Sequence, residues 1–134
     1  MTIKSLLLRF FLIYPGLMVA IGIVVTLLKL ESSTGLNVLA LYGAISWVCR
    51  SYGKANGRYF SKSEKAAVVF GMFVIDIGLQ FSVAALALVQ SKSAILFMPF
   101  FTAFALVGFL HLPAIYFFVS IQKRFLVRQG LVGG

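Results

Sequence analysis

Carboxylates are scarce in this sequence: Glu31, Glu64 and Asp76 are the only three in 134 residues, beside one histidine and one cysteine. So few acid/base groups leave little room for enzymatic proton transfer, and there is no HExxH motif and no nucleophile elbow. Gly53 to Gly57 is followed by Arg58, not by the Lys and Ser or Thr that a P-loop needs. The lone Cys49 excludes an internal disulfide and a cysteine-based metal cluster, and is expected to be a small packing residue. No catalytic residue, metal or cofactor is therefore expected.

Charge as a whole is also low, at 11% of residues against 61% hydrophobic, where a soluble domain carries about a quarter charged residues. A small domain leaves too much of its surface exposed to hide that many apolar side chains, so the expected solvent is a lipid bilayer. A bilayer core about 30 Å thick takes about 20 apolar residues in helical form. Uninterrupted runs place four such spans at about 8–28, 34–51, 65–89 and 94–121. Continuous runs favour helices over the alternating strands of a membrane barrel. The first run is longer than a signal-peptide core, and further spans follow it.

The net charge of +9 comes from twelve Lys and Arg. Lys4 and Arg9 precede the first span, Arg50, Lys54, Arg58, Lys62 and Lys65 lie between the second and third, and Lys123, Arg124 and Arg128 follow the fourth. Only Lys29 and Lys92 fall on the other side. That bias predicts both termini and the middle loop in the cytoplasm, and it accounts for the basic composition without nucleic acid. The loop at about 50–65 spaces its cations by four, four, four and three, a single stripe if the helix were continuous. Gly53 and Asn56-Gly57 predict a break instead. Anionic lipid headgroups are the expected contact of these five residues, at about 1 kcal/mol each, with a cytoplasmic protein as the alternative. Residues 122–134 are expected to form a basic tail.

Glu31 to Gly35 and Gln90 to Ser93 read as short outer turns, with Ser33 or Thr34 as a cap for the second helix. Pro15, Pro99 and Pro113 are expected to shape their helices by removing backbone donors. The second span is the least apolar and is expected to pack on protein. Trp47, Tyr52 and Tyr59 are expected at headgroup level, and Ser61 with Glu64 forms a capping box for the third helix. The expected fold is an all-α, integral membrane four-helix bundle made of two antiparallel helical hairpins, within a single domain.

Asp76 is the most informative residue, because an acid inside a membrane helix costs about 2.5–3.5 kcal/mol on insertion scales. It lies ten residues, about 15 Å, beyond Ala66. His111 lies ten residues before Ile121 on the next, antiparallel helix, so the two fall at one depth. Gln80 shares the Asp76 face. Gly71, Gly78, Ser82 and Ala85 form a small-residue strip on the other side, suited to close helix packing. With two lipid-avoiding faces, the third helix is expected to be central or to mediate oligomers. Asp76, His111 and Gln80 read either as a proton or ion site or as a polar network that orients the helices.

At Gly53-Lys54-Ala55-Asn56-Gly57-Arg58, followed by Ser61 and Glu64, and in its four-span layout, the chain resembles a family of small bacterial inner-membrane proteins. The resemblance implies a multi-pass protein of the bacterial inner (cytoplasmic) membrane and no particular activity. Small multidrug transporters share the span count, but their acid is in the first span, where this chain has none. Two functions stay open. One is a non-enzymatic accessory or immunity-type subunit acting by helix contacts with itself or a membrane partner. The other is a minimal oligomeric proton-coupled transporter using Asp76 and His111.

Overall fold

The computed structural model describes residues 1–29, 34–91 and 97–133. They form α1 (Ile3–Leu27), α2 (Thr34–Asn56), α3 (Lys62–Ser91) and α4 (Phe97–Arg128). Each helix has two main neighbours: α1 packs on α2 and α3, and α4 packs on α2 and α3. The direction of each pair follows from which residues meet. Tyr14 reaches Asn37 and the Met1 ammonium reaches Asn56, so α1 and α2 are antiparallel. His111 reaches Asp76 and the Lys65 ammonium lies over the Tyr116 ring, so α3 and α4 are antiparallel as well.

Local signals in the sequence set the helix ends. The Thr2 hydroxyl accepts from the Ser5 amide at 3.2 Å and starts α1. Ser61 and Glu64 form the expected box, with the Ser61 amide 2.8 Å from Glu64 Oε2 and the Glu64 amide 3.3 Å from Ser61 Oγ. Gly57 takes φ 63° in the turn before it, which the Asn-Gly pair favours. Past the end of α4, Gly130 takes φ 67° while its amide bonds the Val127 carbonyl and the Leu131 amide bonds that of Leu126. This is a Schellman ending, and it folds Val132 back onto Gly53.

Several expectations change at this level. The basic loop is not a segment of 50–65: α2 continues to Asn56 and α3 begins at Lys62, so only residues 57–61 link them. The basic tail is helix as far as Arg128. The third helix is not central, since it touches α1 and α4 as any corner does. The most enclosed helix is α2, which buries Ala40, Leu41, Ala44, Ile45, Val48, Cys49 and Tyr52, in line with its lower apolarity. Tyr52 and Tyr59 do not sit exposed at a headgroup level. Both are buried and plug the end of the bundle, Tyr59 through its hydroxyl on the Val119 carbonyl and Tyr52 on Glu64 Oε1 at 3.2 Å. Trp47 is the exposed ring of the three.

Pro15 and Pro113 lie inside continuous helices, and Pro99 falls in the first turn of α4, where no helix donor is lost. The outer turns and the Ser33 or Thr34 cap lie outside the described residues or side chains.

The two ends of the bundle differ. Met1, the 57–61 turn and Val132 meet at one end, called the near end below. Fully buried apolar side chains fill the bundle from there up to Tyr14, Ala40, Met72 and Ile115. Beyond the level of Asp76 and His111, no described side chain is fully buried.

The small-residue strip divides in the same way. A Cβ added at Gly71 would lie 2.5 Å from Leu7 Cδ1, so the glycine is what lets α1 approach α3 there. Gly78 and Ser82 are exposed, and nothing lies within 4 Å of a Cβ at Gly78. Gly71→Leu is therefore expected to lower stability by about 1–3 kcal/mol, and Gly78→Leu to change it by less than about 0.5 kcal/mol. Thermal unfolding in detergent, followed by circular dichroism, measures both.

Candidate functional site

All four helices contribute to one buried polar node. Asp76, fully buried on α3, is its centre. The Tyr14 hydroxyl of α1 donates to Asp76 Oδ1 at 2.6 Å, and Gln80 Nε2, one turn along α3, donates to the same oxygen at 2.8 Å. His111 Nδ1 of α4 lies 2.6 Å from Oδ2, and Gln80 Nε2 lies 3.1 Å from that ring nitrogen. Asn37 of α2 completes the set, its Oδ1 3.1 Å from the Tyr14 hydroxyl.

Counting protons orders these contacts. A phenol has one proton, and the short bond to Asp76 uses it. The Tyr14–Asn37 contact is then a hydrogen bond when the amide is turned to present its N–H to the phenol oxygen, an assignment that follows from the network and not from atom positions. A single proton lies between His111 Nδ1 and Asp76 Oδ2, whichever of the two holds it. Among the described residues no buried side-chain nitrogen or oxygen lacks a partner.

The sequence brings Asp76, His111 and Gln80 together by depth and face, and the structure joins all three. Tyr14 and Asn37 were missed. The available signal was a lone phenol and a lone amide at the Asp76 depth on the other two helices. Asp76 and His111 are both ligand-type side chains, and among the described residues no third His, Cys, Asp or Glu joins them.

Access to the node is one-sided. One helical turn towards the near end, Phe10, Leu41, Met72 and Ile115 are fully buried and form an apolar layer. On the far side, a groove of about 370 Å³ opens between α1 and α3. Pro15, Met18, Leu79 and Val83 line it, with Asn37 and Gln80 at its floor. The arrangement can hold one proton between two groups, facing the far end.

The five basic residues do not act as one stripe. Arg58 is bound by Glu64 through both guanidinium nitrogens at 2.6 and 2.7 Å, which raises its already high pKa and keeps it charged. Lys65 Nζ lies 4.0 Å from the Tyr116 ring centroid, a cation–π contact. Lys54 and Lys62 are exposed, and Arg50 lines a cleft between α2 and α4.

Three of the four helices, α1, α3 and α4, are long and apolar enough to cross a membrane. No protein family, curated protein or solved structure matches the chain. The fold and the node thus define a small all-helical protein with the makings of a multi-pass membrane protein.

Interhelical hydrogen bonds in membrane proteins average about 0.6 kcal/mol. Asp76→Ala removes the acceptor for donors on three helices and is expected to cost about 2 kcal/mol, three times that average. Tyr14→Phe removes the bonds to Asp76 and Asn37 and is expected to cost about 1.2 kcal/mol, twice that average. Equilibrium unfolding in mixed micelles measures both, and equal losses would contradict the central role of the carboxylate.

Proposed function

We propose that this chain is a four-span protein of the bacterial inner membrane, with both ends in the cytoplasm. In this reading it is a non-enzymatic accessory or immunity-type subunit that acts through helix contacts with a membrane partner. The inclusion of α2 as a span rests on its position. It lies between α1 and α4 and hides much of its surface against them, so it needs less apolarity of its own. The N-terminus, the 57–61 turn and Val132 meet at one end, which favours an even number of crossings. Ten of twelve basic residues lie in the near-end parts of the helices or, as Arg58 does, in the link between α2 and α3, which favours a cytoplasmic location for that end.

The observation that carries the functional reading is the closure of the node. Asp76 accepts from α1 and α3 and is joined to α4, and an apolar layer separates it from the near end. A carboxylate so engaged serves to hold helices in register, and a proton entering from the groove finds no polar continuation. The far halves of α1 and α3 leave Val19, Ile23, Val83 and Leu86 unpacked, which supplies apolar surface for another membrane protein. The groove that reaches Gln80 and Asn37 favours a second reading, a minimal oligomeric proton-coupled transporter.

Proton flux into liposomes separates the two. The protein reconstituted with a pH-sensitive dye is expected to show no flux above empty vesicles. Photo-crosslinking from Val83 in native membranes is expected to yield one discrete adduct. Substrate-driven flux that Asp76→Asn abolishes would establish the transporter instead.

A further inference from the structure

Counter-charges are nearly absent from the near end. Glu64 is the one described carboxylate there, and Arg58 occupies both of its oxygens. Arg50 therefore has no acidic side chain of this chain to pair with among the described residues. It lines a cleft of about 370 Å³ between α2 and α4, with Tyr42, Ser46, Trp47, Gln122 and Gln129. Gln122 is buried and its Nε2 donates to Ser46 Oγ at 2.6 Å, while the serine still has its own proton to donate. The cleft thus combines one guanidinium, neutral donors and aromatic and apolar walls.

We infer that this cleft binds the headgroup of an anionic phospholipid, with the phosphate on Arg50 and the acyl chains along the Tyr42 and Trp47 side. A guanidinium fits phosphate oxygens through two parallel bonds. The cleft has no carboxylate to receive the ammonium of a zwitterionic lipid, and the surrounding cations repel it. Net negative headgroups are selected for that reason. The inference deepens the lipid contact at the cytoplasmic end and singles out one of the five cations for it. It rests on the proposed topology only for which leaflet supplies the lipid.

Trp47, the sole tryptophan and 63% exposed, reports on the cleft directly. The full chain is reconstituted in phosphatidylcholine vesicles in which a minor fraction of the lipid is phosphatidylglycerol with brominated acyl chains, which quench tryptophan. Quenching is expected to exceed that from the same fraction of brominated phosphatidylcholine, with an enrichment of about fivefold, the equivalent of one cationic contact at an anionic surface. Arg50→Gln should abolish the enrichment, and Lys62→Gln, outside the cleft, should keep it. Quenching that follows mole fraction in the wild-type protein, or enrichment that survives Arg50→Gln, overturns the inference. Displacement of the lipid by inorganic phosphate also overturns it, by assigning the cleft to a free anion. Vesicles offer both leaflets, so failure here leaves the proposed topology standing, and inverted topology leaves this result standing.

Discussion

The carboxylate of Asp76 is the constraint on which the bundle depends. In an apolar interior an unpaired acid is costly, so the chain must surround it with donors, and the donors come from other helices. Tyr14 and His111 each tie a different helix to α3, and Asn37 joins α2 to the set through the Tyr14 hydroxyl. Apolar packing alone would allow these helices to slide or rotate against each other. A directional contact at one depth fixes their register.

The node also marks where the bundle changes character. Towards the near end the helices close over Phe10, Leu41, Ile45, Met72 and Ile115, and the closure continues through Tyr52 and Tyr59 to the chain termini. The Met1 ammonium on Asn56 Oδ1 at 2.7 Å and Val132 against Gly53 bring both ends of the chain into this seal. Towards the far end the helices bury no side chain fully among the described residues. The base is sealed, and the upper half leaves its apolar side chains exposed.

Electrostatics at the near end follow a similar economy. One carboxylate serves as helix cap, ion-pair partner and acceptor for Tyr52. Among the described residues, the remaining cations at this end have no second carboxylate to pair with. This is why the periodic spacing of Arg50, Lys54, Arg58, Lys62 and Lys65 was a poor guide to their roles. Equal spacing would matter on one continuous helix, but the Gly57 turn places them on two helices and a link with different neighbours.

The helices, the Ser61–Glu64 box and the pairing depth of Asp76 with His111 were legible, because each rests on local periodicity or on 1.5 Å per residue along a helix. The rest depended on which helices are neighbours. The square arrangement puts Tyr14 against Asp76, hides Tyr52 and Tyr59, and splits the small-residue strip so that Gly71 alone meets Leu7. None of these can be read along a single helix, since a helix fixes the spacing of its own side chains and says nothing about the rotation of the next one. By itself the sequence determined that the chain is helical, apolar and built around one acid. Tertiary structure decided who satisfies that acid, because hydrogen bonds across helices require the helices to be placed first.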